Sequence, residues 1–302
     1  GVQTCALPIF KCNRRHHALG GYLYLFGENF AGSGVLTEAM KRHPKLSNVR
    51  IREPRDIKNA GGYDILCDRD YERHKKEIKD RVTFYEHFSP PCETMTLALR
   101  QWRERSVEAP YGVGENPKVE AHNKIAVRTC SLCMIKHSVG DAFNLEHIWP
   151  TDLMRFECYK ELLAMPGVIA FTFDNCAYGE KYRHRQVLIV NQPWLMVLCR
   201  DCDKQHEHLT IGFDGDLKTH QVATFSVGLV NAWVEAFASF IRAPEADLCP
   251  VCFDQRLRVD AERAATGVEV SERVARAIRE AAGLEVLPVE WLNGKQIGRA
   301  HV

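Results

Sequence analysis

The strongest constraint on the fold is a short apolar run that ends in a glycine-rich turn near the start of the chain. Residues 22–26 (YLYLF) have the composition of a buried strand, and Phe30-Ala31-Gly32-Ser33-Gly34 follows them. Val35–Arg42 then has the pattern of a helix. Glycine lets the backbone turn tightly between a strand and a helix and approach a ligand closely. The turn is therefore typical of a site for a nucleotide-like cofactor; the alternative is that its glycines only shape the connection.

Strand-like and helical segments alternate along the rest of the chain. Residues 49–52, 63–66 and 82–88 are strand candidates, and a charged helix is predicted over 70–79. Further on, the pattern predicts helices over 123–137 and 223–242, and strands over 142–145, 168–173 and 186–190. Alternation of this kind predicts an α/β fold with a doubly wound, mostly parallel sheet.

Both ends of the sequence look foreign to this fold. Residues 2–9 and 297–302 resemble translations of a common sequencing-library adapter, read from its two complementary strands. Residues 1–9 and 296–302 are therefore expected to be adapter-derived scars. The composition changes near residue 243, so we expect a main domain over residues 20–243 and a helical C-terminal appendage over 244–295.

Composition limits the class of protein. A chain of 302 residues with 45% hydrophobic residues can bury the core of one large α/β domain. Its net charge of +1 means that a nucleic-acid enzyme would need a local basic face. We find neither a signal peptide nor an apolar run that could span a bilayer, and expect a soluble, intracellular protein. In such a protein the twelve cysteines indicate thiols, metal ligands or a nucleophile rather than a disulfide framework.

A cysteine stands on a rigid turn after one of the predicted strands. Residues 82–88 lead into Ser89-Pro90-Pro91-Cys92. The two prolines restrict the backbone, so the thiol is held at the mouth of an open sheet, where ligands bind. An inert buried thiol is the alternative. The position favours covalent attack on a substrate ring, and Cys92 is the candidate nucleophile.

Two acidic residues follow the next predicted strands. Glu53 closes the second strand and is placed to accept hydrogen bonds from a ribose, and Asp68 follows the third and could receive an adenine amino group. The glycine turn, these acids and the Pro-Pro-Cys turn together indicate an S-adenosylmethionine enzyme. The predicted cofactor-binding residues are Phe30, Gly32, Ser33, Gly34, Glu53, Asp68 and Pro90.

Cysteine pairs suggest a metal site. Cys-x-x-Cys occurs at Cys130/Cys133, Cys199/Cys202 and Cys249/Cys252. His206 and His208 follow the middle pair, which puts four ligands of the kind that zinc favours within ten residues. We expect Cys199, Cys202, His206 and His208 to bind zinc, with ordinary thiols as the alternative. The other two pairs are expected to be thiols unless the fold brings them together.

The chain resembles the DNA cytosine-5 methyltransferase superfamily, and more closely its divergent phage- and mobile-element-associated members. The resemblance runs from about residue 22 to 242 and includes the glycine turn, the Pro-Pro-Cys turn and a degenerate Glu-Asn-Pro motif at Glu146-His147-Ile148. It also includes residues 174–179 (DNCAYG), the pair Arg183 and Arg185, Cys202 with its two histidines, and a helix led by Gly228.

The resemblance implies a Rossmann-like S-adenosylmethionine-dependent fold and a defined mechanism on DNA, with RNA left open. Cys92 as thiolate would add to carbon 6 of a flipped-out cytosine, and Glu146 would protonate or hydrogen-bond ring nitrogen 3. Arg185, with Arg183, would hold the charge on the exocyclic oxygen. Carbon 5 would then take the methyl group. Residues 191–227 would form a short target-recognition insert.

Departures from the family pattern favour an alternative. Glu93 follows the nucleophile, where a carboxylate disfavours the thiolate, and His147 replaces an amide that shapes the cytosine pocket. The alternative is a catalytically silent relative that binds nucleic acid or serves as an interaction module of a mobile-element or phage polyprotein. An amino-group methyltransferase is a third hypothesis. Two further alternatives stay open: Glu146 as a salt-bridged carboxylate, and the two arginines as solvated side chains. Residues 100–105 (RQWRER) are a candidate nucleic-acid contact, with a plain amphipathic surface segment as the alternative.

Overall fold

A computed structural model describes residues 21–59, 62–96, 104–211 and 224–242. In these ranges the strands are β1 (Tyr24–Asn29), β2 (Thr83–Phe88), β3 (Ala142–Ile148), β4 (Ile169–Asp174) and β5 (Arg185–Val190). The helices are α1 (Val35–Arg42), α2 (Asp68–Lys79), α3 (Pro117–Ser138), α4 (Glu157–Ala164) and α5 (Val227–Arg242). The predicted α/β class is confirmed. No helix in these ranges has both the length and the apolar character needed to cross a membrane.

The strands form one mixed sheet in the order β1-β2-β3-β5-β4. β1, β2 and β3 are parallel neighbours, whereas β5 runs antiparallel to both β3 and β4. Four strands therefore share one direction and β5 is reversed. All residues of β2 are buried, as expected for a central parallel strand covered on both faces.

Helices cover both faces of the sheet. Val187 and Ile189 of β5 belong to one buried cluster, whereas Leu188 and Val190 belong to the other, because successive side chains of a strand point to opposite faces. The cluster that contains Leu188 and Val190 includes residues of α1 and α5, among them Trp233, and the cluster that contains Val187 and Ile189 is built with α3 and α4. This two-sided core is the arrangement that the strand–helix alternation predicts.

Two predicted strands differ in the structure. The chain over 49–55 lies beside β1 but makes only isolated parallel bridges, Phe26 to Ile51 and Asn29 to Arg55. The predicted strand over 63–66 is wrong. There the Asp64 carboxylate accepts from the Leu66 amide at 2.8 Å, and Asp70 accepts from the Asp64 amide at 3.2 Å. Side-chain acceptors thus take the amides that a strand would pair, and the segment turns into α2 instead.

Several predictions lie outside the described residues. They are both adapter-derived ends, the C-terminal appendage, Cys249/Cys252, and parts of the recognition insert and of the segment 100–105.

Strand register sets the position of the candidate site. Asn29 at the end of β1 pairs with Phe88 at the end of β2, and Phe88 pairs with Leu145 of β3. Parallel strands in this register end at one edge of the sheet. The glycine turn, the Pro-Pro-Cys turn and Glu146 therefore meet at that edge, which is where open α/β sheets bind ligands.

Candidate active site at the carboxyl edge of the sheet

The Pro-Pro-Cys turn continues directly from β2. The Ser89 amide donates to the Asn29 carbonyl at 3.3 Å, which holds the start of the turn against the end of β1. The Cys92 carbonyl then accepts from the amides of Met95 and Thr96 at 2.9 and 3.1 Å. Pro90 is buried, and Cys92 is half-buried. The thiol is thus fixed between a strand end and a tight turn, as the sequence predicts.

Glu146 lies next to this turn. Its side chain is buried, and the Ser89 hydroxyl donates to Glu146 Oε2 at 2.5 Å. Burial raises the pKa of Glu146 to about 7, although the Ser89 hydrogen bond opposes the shift. Glu146 has no ion pair among the described residues, so the salt-bridged alternative does not describe it. At neutral pH a sizeable fraction of this carboxyl carries a proton that it can donate.

The electrostatics of Cys92 reflect both burial and this neighbour. Burial is the largest cause that raises the pKa of the Cys92 thiol to about 11, and the Glu146 charge comes next. Glu93, which the sequence suggested would disfavour the thiolate, contributes least of the named causes. Its carboxylate is exposed and paired with Lys118, which lowers the pKa of Glu93 itself.

His147 occupies the position of the missing amide. It is buried, and the carbonyls of Ile148 and Pro91 face its ring. Burial lowers the pKa of His147 to about 4, so the ring is neutral at physiological pH. A neutral imidazole offers one donor and one acceptor, which leaves it able to take part in a polar pocket.

Arg185 is the first residue of β5, Arg183 lies two residues before it, and one carboxylate pairs with both. The Nε atoms of Arg183 and Arg185 each lie 3.2 Å from Asp174 Oδ1, and Arg185 also pairs with Asp201. Arg185 is thus largely enclosed by its two carboxylate partners, whereas the Arg183 side chain is 41% exposed and stays partly solvated. The Trp149 amide donates to the Arg185 carbonyl at 2.9 Å, which places Arg185 beside the end of β3. No contact among the described residues joins either arginine to Cys92 or Glu146.

The glycine turn has the backbone that its sequence requires. Phe30, Gly32 and Gly34 have φ of 60°, 53° and 66°, in the left-handed region that favours glycine. A Cβ on Gly32 would meet nothing within 4 Å, and Ser33 is exposed, so the backbone here is open to a ligand. The Gly32 amide donates to Asp56 Oδ2 at 2.9 Å.

The two predicted cofactor acids are exposed and ion-paired. Lys41 Nζ lies 2.8 and 2.9 Å from the oxygens of Glu53, whose side chain is 81% exposed and keeps lone pairs free for a ribose. A cavity of about 510 Å³ beside β1 has Glu53 in its wall but does not reach the glycine turn. Asp68 begins α2 instead of following a strand, and it pairs with Lys124 and Arg128 of α3. The open turn and Glu53 are therefore accessible to a ligand, whereas Asp68 is engaged with α3.

The predicted metal ligands need one correction. Ligand atoms of Cys176, Cys202, His206 and His208 lie within 4.8 Å of one another and could hold a metal ion. Cys199 is not part of this cluster, because its thiol is buried in the core and donates to the Thr172 carbonyl at 3.2 Å. Cys176 takes its place from the short 3-10 turn after β4. Cys130 and Cys133 are buried in α3.

The segment 100–105 also needs a correction at its described end. Arg105 is buried, and its guanidinium donates to the carbonyls of Thr94 and Pro110 and to Asn123 Oδ1, each at 2.7 Å. It therefore anchors the chain after the nucleophile and is not available to contact phosphate.

Sequence reasoning missed three residues that organise the site. Ser89 connects the Pro-Pro-Cys turn to Glu146, Asp174 pairs with both arginines, and Cys176 belongs to the candidate metal cluster. Each stood inside a stretch already singled out, the Pro-Pro-Cys turn or residues 174–179. Polar residues placed directly at strand ends were the signal that could have found them.

No known family model matches the chain, and no curated protein matches it either.

Proposed function

We propose that the protein transfers a methyl group from S-adenosylmethionine to carbon 5 of cytosine in DNA through a covalent cysteine adduct. The observation that carries this proposal is a buried, partly protonated Glu146, held by the Ser89 hydroxyl, whose charge acts directly on the thiol of Cys92. The strand order, with one reversed strand, is consistent with a Rossmann-like methyltransferase fold.

The chemistry follows from the two side chains. The Cys92 sulfur would form a bond to carbon 6 of a flipped-out cytosine, and Glu146 would give its proton to ring nitrogen 3 as the ring accepts the electron pair. Carbon 5 then becomes nucleophilic and takes the methyl group. Water then takes the carbon 5 proton as the sulfur is expelled as thiolate, and the proton on ring nitrogen 3 returns to Glu146, which restores the neutral ring.

Protonation of Glu146 serves this reaction twice. The neutral acid can donate to the ring, and it also removes the second-largest cause that raises the pKa of the Cys92 thiol. Protonation of Glu146 thus supplies the acid and makes the Cys92 thiolate less unfavourable, while burial still raises the pKa of the thiol.

Arg183 and Arg185 are proposed to hold the negative charge that develops on the exocyclic oxygen. Their attachment to buried Asp174 supports this role, because a fixed guanidinium loses little freedom on binding.

The glycine turn is proposed to hold the cofactor. Phe30, Gly32, Ser33 and Gly34 would face it, with Pro90 behind, and Glu53 would accept from its ribose. S-adenosylmethionine supplies an electrophilic methyl group when bound. The thiol and imidazole donors of the cysteine–histidine cluster are those that zinc prefers, and zinc is the metal proposed for it.

A second candidate is a silent relative that binds nucleic acid or a protein partner without turnover. The specific observation in its favour is the high pKa of Cys92, about 11, which leaves little thiolate at neutral pH.

One experiment separates these candidates. The full chain is incubated with DNA, or separately with RNA, and S-adenosylmethionine labelled in its methyl group. The proposal expects label on cytosine of DNA that is lost in Cys92→Ala and retained in Cys67→Ala, a control at another half-buried cysteine. Cofactor binding with no transfer to any nucleic acid would favour the silent relative. Label that survives Cys92→Ala would indicate amino-group methylation instead.

A further inference from the structure

We propose that Cys176, Cys202, His206 and His208 bind one structural Zn²⁺, and that this ion fixes the chain after β5 in the position that holds Arg183 and Arg185. The metal site itself does not depend on the proposed function. Only the role of the arginines at the substrate rests on the proposed function.

The distances between the ligand atoms suit a single tetrahedral ion. Cys202 Sγ lies 3.4 Å from His208 Nε2 and 3.9 Å from His206 Nε2, and all four ligand atoms lie within 4.8 Å of one another. Zinc at its usual bond lengths to sulfur and nitrogen spaces tetrahedral ligand atoms by about 3.3–3.8 Å. A small contraction of the cluster would therefore complete the site.

Neighbouring groups orient two of the ligands. Asp203 Oδ1 lies 2.9 Å from His206 Nδ1, so a proton on Nδ1 is shared with the carboxylate and Nε2 is left to face Cys202. The Lys204 amide donates to Cys202 Sγ at 3.3 Å, and Lys204 reaches this position with φ of 59°. A carboxylate behind a histidine and an amide on a sulfur are the outer contacts that metal-bound ligands keep.

The charge of the set also fits zinc. Binding would displace the protons of two thiols, and the two thiolates with two neutral imidazoles would balance the charge of Zn²⁺. Four protein ligands leave no open position for water, which is the pattern of a structural site.

The site connects directly to the arginine pair. The Cys202 amide donates to Asp174 Oδ2 at 3.0 Å, and Asp174 Oδ1 lies 3.2 Å from the Nε atoms of both Arg183 and Arg185. Asp201, next to Cys202, pairs with Arg185 as well. An ion that fixes Cys202 therefore fixes both carboxylates that hold the arginines.

Metal content tests the site first. The full chain is purified under reducing conditions with Zn²⁺, and with Co²⁺ in parallel, and its metal is measured by elemental analysis. We expect one equivalent of zinc and a cobalt spectrum with thiolate charge-transfer bands. Cys176→Ser and Cys202→Ser should each lose the metal, whereas Cys199→Ser, the matched control outside the cluster, should keep it. No bound metal in the folded chain, a Cys176–Cys202 disulfide under these conditions, or loss of metal in Cys199→Ser but not in Cys176→Ser would overturn the proposal.

A second measurement tests the link to the arginines. Hydrogen exchange of the Cys202 and Lys204 amides should speed up at least tenfold when the metal is chelated, with α3 amides unchanged. DNA affinity, measured on Cys92→Ala so that no turnover interferes, should fall with chelation. Unchanged exchange at both amides would refute the positioning role. Metal-dependent exchange without any DNA binding would uphold the zinc site and count against the proposed function alone.

Discussion

Replacing Glu146 by glutamine should stabilise the protein in alkaline solution and leave its stability in acid nearly unchanged. Burial raises the pKa of Glu146 from an ordinary 4.5 to about 7. The folded chain therefore binds more protons than the unfolded chain between these values, so the free energy of unfolding falls as the pH rises through them. Above pH 7 the folded state carries a buried carboxylate that is unfavourable by up to about 3 kcal/mol, at roughly 1.4 kcal/mol per pKa unit. Glutamine has nearly the same shape and removes that cost.

Urea unfolding at pH 5 and pH 8 measures the effect. Glu146→Gln should raise the free energy of unfolding at pH 8 by up to about 3 kcal/mol relative to the wild type, and the difference should shrink at pH 5. Glu93→Gln is the matched control, because Glu93 is exposed and paired with Lys118; it should not gain stability at pH 8. A Glu146→Gln variant that is no more stable than the wild type at pH 8, or a gain independent of pH, would refute this reasoning.

The same geometry gives two further predictions. Alkylation of Cys92 by iodoacetamide should be slow at pH 8 and accelerate towards pH 11, and Glu146→Gln should shift that midpoint downward because one negative charge is removed; an unchanged midpoint would contradict the coupling. Gly228→Ala should lower the free energy of unfolding by about 1–3 kcal/mol, since the added Cβ would lie 2.2 Å from the Tyr178 carbonyl oxygen. Gly114→Ala, whose Cβ would meet nothing within 4 Å, is the control, and equal stability of the two variants would contradict the packing.

The local sequence pattern was sufficient to predict those helices and strands whose conformation depends mainly on their own residues. Val35–Arg42 has the bounds that its amphipathic pattern and the preceding glycine turn indicate. β2 and the Pro-Pro-Cys turn were predicted because an apolar run and two prolines leave few alternatives. The segment 63–66 failed because two aspartate side chains compete for its amides, a contact that apolar pattern does not express.

Contacts between distant segments could not be predicted from spacing. The spacing predicts Cys199 as a ligand because it stands three residues before Cys202. The chain after β5 instead returns to the end of β4, where the Asp174 amide donates to the Arg200 carbonyl at 2.9 Å, and this brings Cys202 close to Cys176. In the same way, Asp174 meets Arg185 only because the two are register partners across that pair of strands. The ion pair of Glu93 likewise could not be predicted from spacing, because α3 brings its partner Lys118 from further along the chain.

The most direct measurement is trapping on DNA that contains 5-fluorocytosine, with S-adenosylmethionine present. Fluorine at carbon 5 cannot leave as a proton does, so a sulfur bonded to carbon 6 stays bonded. The wild type and Cys67→Ala should form a denaturation-resistant complex with this DNA, the modified peptide should contain Cys92, and Cys92→Ala should form none. Methyl transfer to DNA without any trapped complex, or an adduct on another cysteine, would contradict Cys92 as the nucleophile.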